Sequence, residues 1–193
     1  LYALGCENLQ EVVLQEGVGR IGYDESVWAY RPFYECKNLT KVQMPSTVER
    51  IDGLSFAGCE KLKNIDLPRG LTYIGGEVFS GCGLTSVTVP DTVTSMGWNV
   101  FNNCDLESAE VRGTVLGDKM FAGCEKLKTV TLSENALELG YAMFSGCMAL
   151  NAIQLPVNLQ SVSREAFYGC AELSQITIPE TVTQIDLSAF EKC

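Results

Sequence analysis

The sequence predicts a repeat solenoid of about eight stacked coils, each 20–23 residues long, with parallel strands along one side. Three observations lead to this fold class. The octet FAGCEKLK occurs twice, at residues 56–63 and 121–128. Nine cysteines recur at nearly constant spacing, and every phenylalanine stands three residues before one of them. The cysteines are Cys6, Cys36, Cys59, Cys82, Cys104, Cys124, Cys147, Cys170 and Cys193.

The first half of each coil is predicted to be a strand with one buried face. After Cys59, the segment LKNIDLP alternates around Ile65 and Leu67, which is the period-two pattern of a half-buried strand. Pro68 lacks a backbone N–H donor and is therefore expected to end the strand. Five of the six prolines occupy this position, so the same rule applies to most coils.

The second half of the coil closes the turn. Leu71 and Ile74 form a second inward pair, and Gly75 marks a turn. Phe79 is the largest apolar group of the unit, so we expect it to fill the side opposite the strand.

The residue before each cysteine is predicted to have a positive φ. It is glycine in six of nine coils and Asn103 in a seventh, and these residue types tolerate that backbone conformation best. Glu35 and Lys192 depart from the pattern.

Three coils depart from the consensus. The shortest coil has Arg112 where proline is usual and Ala109 at an inward strand position, and the next coil has Ser133 in place of proline. The first cysteine is preceded by Ala3 where phenylalanine is expected. We expect the changes at Ser133 and Ala3 to loosen local packing without breaking the period.

These motifs resemble leucine-rich repeats of the BspA type. The Leu-x-x-Ile/Val-x-Leu-Pro strand, the Ile-Gly turn and the Phe-x-Gly-Cys closure recur along nearly the whole chain, with the cysteine before the strand. The resemblance implies a right-handed, α/β-type solenoid with a parallel sheet on its concave face and short turns or 3₁₀ segments opposite. It also implies a bacterial cell-surface or secreted protein that mediates adhesion, including adhesion to host extracellular-matrix proteins.

Residues 1–193 are expected to form one such domain and to be a piece of a longer protein. The sequence starts and stops inside a repeat and shows no polar cap at either end. Uncapped end coils could stack end to end on another copy.

Composition excludes several partner classes. With 14 basic and 24 acidic residues, the net charge is −10, which disfavours binding to nucleic acid. No stretch approaches the roughly 18 apolar residues of a membrane span, so direct membrane insertion is not expected.

The sequence also predicts a non-catalytic protein with no cofactor and no metal. There is no histidine, no Cys-x-x-Cys and no Gly-x-x-x-x-Gly-Lys. The nine cysteines are expected to be reduced, mostly buried thiols that act as small hydrophobes. A cation site in the shortest coil is a minor alternative to an acidic surface; its residues would be Asp105, Glu107, Glu110 and Asp118.

The outward strand positions form a candidate binding surface, because stacked coils commonly bind ligands along their exposed strands. Short polar residues also simply suit exposed strands. The stripe, here called the strand-face row, consists of Gln43, Asp66, Thr88, Glu110, Thr131, Gln154 and Thr177. Beside it run Lys41, Asn64, Ser86, Ser108, Thr129, Ala152 and Gln175.

An insertion at residues 22–32 is the second candidate surface. The distance from the inward isoleucine to the next phenylalanine is usually five residues, but from Ile21 to Phe33 it is twelve. The seven extra residues must loop out. The loop contains Tyr23, Trp28, Tyr30 and Arg31, residue types that often anchor interfaces. It could form a partner-binding knob, or Trp28 could fold back as a lid on apolar surface.

Taken together, the sequence predicts a non-catalytic protein-binding or adhesion module of a bacterial cell-surface or secreted protein. The alternative is a structural spacer that presents another domain of a longer protein.

Overall fold

The computed structural model describes residues 5–22 and 31–193, which form a parallel β-solenoid. Every strand pair is parallel, and the described residues contain strands and turns but no helix, so the α/β designation is not confirmed. The strands are β1 (Glu11–Val13), β2 (Arg20–Ile21), β3 (Lys41–Gln43), β4 (Arg50–Ile51), β5 (Tyr73–Ile74), β6 (Ser86–Val89), β7 (Ser95–Met96), β8 (Ser108–Val111), β9 (Thr129–Leu132), β10 (Ser161–Val162) and β11 (Gln184–Ile185).

Two series of short strands run along the solenoid. The first series forms the sheets β1-β3 and β6-β8-β9, and the second forms β2-β4-β5-β7 and β10-β11. The inward positions stack in register, as in the ladder of Val87, Ala109 and Val130. Ala109 is buried in that ladder, as its inward position predicts.

Strand pairing differs from the sequence expectation in several coils. Residues 64–67, 152–155 and 175–178 do not pair into a ladder, although Ile65 is buried as predicted. The longest ladder, β6-β8-β9, lies where Arg112 and Ser133 replace the usual proline. The Arg112 N–H donates to the Val89 carbonyl at 3.0 Å, a bond that proline cannot make. The expected loosening at Ser133 is also wrong, because β9 pairs with β8 over four residues and Leu132 is buried.

A stack of phenylalanine rings forms the side of the core opposite the first strands. Successive rings lie 5.1–5.9 Å apart between centroids and within 15° of parallel. Phe79 is fully buried, as predicted, and so are Leu71 and Ile74 on the other walls of its coil. One continuous apolar core therefore runs through the described coils.

Each regular coil contains two residues with positive φ. The residue before the cysteine has φ between 53° and 75° in every coil, including Glu35 and Lys192, so the prediction holds where glycine is absent. From Phe56 onward, a second row lies two residues before each phenylalanine and contains no glycine. Its members are Leu54, Glu77, Asn99, Lys119, Ala142, Glu165 and Ser188.

Gly75 is required for close stacking of the second strands. A Cβ there would lie 2.4 Å from the Gly53 nitrogen, and one at Gly97 would lie 2.3 Å from the Gly76 nitrogen. Backbone of one coil therefore contacts backbone of the next at this turn.

Candidate binding surfaces

The strand-face row lies on the surface as predicted. Thr88, Glu110 and Thr131 are direct neighbours in the β6-β8-β9 ladder. Glu110 is half-buried, and the other members of the row are exposed. Two shallow depressions interrupt this face. One, of about 240 Å³, includes Asp66 and Thr88, and the other, of about 210 Å³, includes Thr131 and Gln154.

A charged cluster lies at the middle of this row. Two guanidinium nitrogens of Arg112 donate to the Glu110 carboxylate, at 2.9 and 3.0 Å. The Thr88 hydroxyl donates to the same carboxylate at 3.3 Å. The Arg112 hydrogen bonds lower the pKa of Glu110. The replacement of proline by Arg112 therefore puts a fixed polar group on an otherwise hydroxyl-rich face.

Three of the four acidic residues named for a cation site in the shortest coil are paired with cations of the chain itself. Asp105 accepts from Lys126 at 2.7 Å, which lowers the pKa of Asp105, and Lys63 lies 3.7 Å away. Glu107 lies 3.7 Å from Lys128, and the Asp118 carboxylate accepts the Tyr141 N–H at 2.8 Å. Across the described ranges, no group of three or more potential ligands converges on one point.

The cysteines form a ladder of thiol hydrogen bonds. Seven of the nine are buried, while Cys6 is half-buried and Cys193 is exposed. From Cys59 onward, each S–H donates to a phenylalanine carbonyl of the preceding coil, at 3.0–3.3 Å. The acceptor is the phenylalanine three residues before the previous cysteine, so that Cys59 donates to Phe33. The thiols are therefore specific donors as well as small apolar groups.

Both ends of the insertion are fixed to one turn of the next coil. The Ile21 carbonyl accepts the Asp52 N–H at 2.8 Å, and the Phe33 N–H donates to the Ser55 carbonyl at 2.9 Å. At the C-terminal end of the insertion, the Arg31 guanidinium lies 5.1 Å from the centre of the Tyr34 ring. The predicted residues Tyr23, Trp28 and Tyr30 lie outside the described residues.

A buried carboxylate lies directly beside the base of the insertion. Asp52 is 2% exposed and accepts from Arg20 at 2.5 and 3.0 Å and from Arg50 at 2.9 Å. The Arg50 guanidinium also covers the Tyr73 ring at 3.5 Å from its centre. Sequence reasoning missed this cluster, although one signal exists: Asp52 takes the place of the glycine that follows Ile21 and Ile74.

An exposed tryptophan lies on the same edge of the solenoid. Trp98 is 52% exposed, and its indole nitrogen lies 3.3 Å from where a Cβ on Gly76 would be. Any side chain at Gly76 would therefore displace the indole. Sequence reasoning also missed this residue, because it concentrated on the aromatic residues of the insertion.

Comparison with known proteins adds a family assignment to this geometry. A family model described as a BspA type leucine-rich repeat region matches residues 4–107 and 96–193, in six copies. Six copies correspond to a solenoid of about six turns, so the expected count of about eight coils is not confirmed. No curated protein matches the chain.

Solved bacterial structures share the fold. A leucine-rich repeat protein from Bacteroides ovatus is 31% identical with a TM-score of 0.68, over 96% of this chain and 42% of that one. A second, from Eubacterium ventriosum, is 22% identical with a TM-score of 0.71, over 95% of this chain and 58% of that one. A leucine-rich repeat protein from T. pallidum is 29% identical with a TM-score of 0.65, over 76% of this chain and 67% of that one.

The chain spans less than two thirds of the length of the first two of these relatives. In the parts of the chain that the structure describes, no helix is long and apolar enough to cross a membrane.

Proposed function

Because the chain belongs to the BspA-type leucine-rich repeat proteins, we propose that it is a non-catalytic protein-binding module. Repeat proteins of this kind are typically scaffolds for protein interactions. The observation that carries the proposal is the strand-face row, whose members are exposed or half-buried on successive coils. A partner can contact this row over many coils while the apolar core behind it stays intact.

The finer proposal is adhesion at a bacterial cell surface or after secretion, with host extracellular-matrix or cell-surface proteins as partners. The resemblance to BspA-type repeats supports it. Residues 1–193 would act as one solenoid domain of about eight coils, a count supported by eight stacked phenylalanines. A structural spacer, in which the rigid stack only presents another domain, is the alternative.

The insertion is proposed as a second contact surface. Its two ends are tied to the Asp52–Ser55 turn, and a loop held at both ends by a rigid scaffold is a common place for recognition. Within it, Trp28, Tyr30, Arg31 and Tyr23 supply the aromatic and guanidinium groups that most often anchor interfaces.

The test is binding of the purified protein to a panel of immobilised host extracellular-matrix proteins. Replacing both Thr88 and Thr131 by arginine should weaken binding at least about tenfold, because two long side chains would obstruct the centre of the row. Replacing Thr94 and Thr183, two exposed threonines outside the row, by arginine adds the same charge and should leave affinity within about twofold. If the protein binds no member of the panel, or if the two double variants weaken binding equally, the binding proposal fails and the spacer is favoured.

A further inference from the structure

A polar hollow lies along the turns that carry the phenylalanines, on three described coils and the edge of a fourth. This open depression has a volume of about 340 Å³, and asparagine, lysine, tyrosine and glutamate side chains form its walls. The lining residues are Asn99, Asn102, Asn103, Lys119, Ala122, Gly123, Tyr141, Ala142, Ser145 and Glu165. It does not include any member of the strand-face row.

The hollow exists because small residues lie between larger polar ones. Asn99, Lys119, Ala142 and Glu165 occupy the same left-handed position of four successive coils. Ala142 is buried, and with Ala122, Gly123 and Ser145 it forms a low floor in the middle coils. On one side of this floor the coil that precedes the shortest one contributes three asparagines, and on the other side Tyr141 and Glu165 form the opposite wall.

The asparagine wall has unused hydrogen-bonding capacity. The side-chain oxygens of Asn99 and Asn102 are buried, and neither has a hydrogen-bond partner among the described residues. A buried carbonyl oxygen without a partner is destabilising, and native proteins rarely leave two of them in one site. A ligand hydroxyl in the hollow could bond either amide when that side chain turns towards it.

The opposite wall presents an aromatic ring held in place by its own hydroxyl. Tyr141 donates to Glu165 at 3.0 Å, and Arg164 donates to the other oxygen of that carboxylate at 3.0 Å. The Lys119 ammonium lies 5.4 Å from the centre of the Tyr141 ring. The hollow thus contains one cation and one anion, so it does not select a charged ligand.

The lining suits hydroxyl groups better than a protein side chain. It contains no aliphatic side chain larger than alanine, whereas protein interfaces depend on buried apolar or aromatic anchors in pockets. Amide, phenol, ammonium and carboxylate groups together offer both donors and acceptors at short spacing. A sugar ring would place its C–H face on the Tyr141 ring and its hydroxyls on the asparagine amides.

We propose that this hollow binds a neutral saccharide, independently of the protein-binding role of the strand face. The side-chain amides of Asn99 and Asn102 form hydrogen bonds with sugar hydroxyls, and the Tyr141 ring provides the stacking surface. The floor of Ala122, Gly123 and Ala142 leaves the space that the sugar occupies. The site is open, so we expect affinities on the order of 1 mM for a small oligosaccharide.

The test is a nuclear magnetic resonance titration of the ¹⁵N-labelled protein with lactose, maltotriose, mannotriose and the trimer of N-acetylglucosamine, each to about 10 mM. At least one sugar should shift the amide signals of residues 99–103, 119–123 and 141–145. Asn102→Ala should weaken that binding at least about tenfold, because it removes an amide whose oxygen has no partner in the protein. Ser145→Trp should abolish it by filling the hollow, and this variant removes no asparagine.

Asn158→Ala is the matched control, since Asn158 is an exposed asparagine whose amide donates to the Glu134 carbonyl. It should bind sugar as the unmodified protein does. A glycoprotein that carries the responding sugar should bind before enzymatic removal of its glycans and not afterwards.

Three outcomes would overturn the proposal: no shifts with any of the four sugars, shifts outside the hollow, or unchanged binding by both Asn102→Ala and Ser145→Trp. Glycoprotein binding that survives deglycosylation and is blocked by Ser145→Trp would identify the hollow as a protein contact and also reject a saccharide site. The strand-face arginine variants should bind sugar normally, which separates this test from that of the protein-binding role.

Discussion

At the scale of single residues, the cysteines contribute a hydrogen bond that their hydrophobic character does not suggest. The Phe56 carbonyl accepts the N–H of Cys59 at 3.2 Å and the S–H of Cys82 at 3.1 Å. The Phe56 carbonyl thus accepts one bond from its own coil and one from the next coil, so the thiol links adjacent coils. A buried carbonyl can accept two bonds, and an alanine in place of Cys82 would leave the Phe56 carbonyl with only the backbone bond.

The buried thiols should make the protein sensitive to alkaline pH. Burial raises the pKa of Cys124 and of Cys170 from 9.0 to about 12. In the unfolded chain these thiols ionise above pH 9, whereas in the folded protein they stay protonated until about pH 12. The unfolded state then binds fewer protons, so stability is complete below pH 9 and falls as the pH rises towards 12.

The expected loss is about 1.4 kcal/mol per thiol at pH 10. Urea unfolding of the reduced protein at pH 8 and pH 10 measures it. The double variant Cys124→Ala/Cys170→Ala should be less stable at pH 8 but should lose about 3 kcal/mol less between the two pH values. Cys6→Ala, at the half-buried end of the ladder, is the control. An identical pH dependence in the double variant and in the unmodified protein would contradict the prediction.

Asp52 should contribute more to stability than Asp186, a half-buried aspartate at the same repeat position. Asp52→Ala leaves Arg20 and Arg50 without their shared partner. Because both guanidiniums are partly exposed, the free energy of unfolding should fall by about 2 kcal/mol rather than by the larger cost of a fully buried pair.

Asp186 is the matched control, since it also follows the second-strand isoleucine of its coil. Among the described residues, its carboxylate bonds one side chain, that of Gln184, at 2.5 Å. Asp186→Ala should change the free energy of unfolding by less than about 0.5 kcal/mol. Equal effects of the two variants in urea denaturation would show that the arginine cluster adds nothing.

At the scale of elements, the β6-β8-β9 sheet depends on a backbone donor that most coils lack. Arg112→Pro restores the consensus residue but removes the N–H that bonds the Val89 carbonyl. Relative to Arg112→Ala, it should lower the free energy of unfolding by about 1–2 kcal/mol. Both variants lose the ion pair between Arg112 and Glu110. The difference between their free energies of unfolding therefore reports the backbone hydrogen bond. A proline variant as stable as the alanine variant in urea denaturation would contradict this reading.

The insertion gives the second prediction at this scale. Trp28→Ala should weaken binding to the matrix protein identified above while leaving the melting temperature almost unchanged, because the ends of the loop are held by backbone bonds to Asp52 and Ser55. Trp98→Ala, the only other tryptophan of the sequence, is the control for a lost exposed indole. Lost stability with intact binding would make the loop a lid, and the knob hypothesis would be wrong.

At the scale of the whole molecule, stability is a sum over stacked coils and depends on position in the stack. Phe121 contacts ring neighbours on both sides, at 5.9 Å from Phe101 and 5.8 Å from Phe144. Phe190 is half-buried and stacks on Phe167 at 5.3 Å. Nearby, Leu187 is 74% exposed, so the last described coil covers less apolar surface.

Phe121→Ala should therefore cost about 3–5 kcal/mol, and Phe190→Ala about half as much. Chemical denaturation at neutral pH measures both values. A loss at Phe190 as large as that at Phe121 would mean that the last coil is as well covered as the middle ones.

The sequence by itself determined the repeat, the inward positions and the left-handed residue before each cysteine. These properties are periodic and local: burial alternates along a strand, and glycine or asparagine marks a positive φ. That is why Leu71, Ile74 and Phe79 are buried as predicted, and why the strand-face row faces outwards.

Only the tertiary structure decided which side chains of different coils meet. The second left-handed row uses residues such as Glu77 and Ala142, whose types carry no signal for that backbone, so stacking must impose it. The Asp52 cluster joins residues about 30 positions apart, and the Cys82 thiol meets a carbonyl 26 residues earlier. The period of a repeat predicts what each residue faces within its own coil, but contacts across coils depend on lateral register and side-chain size. Those quantities exist only once the coils are stacked.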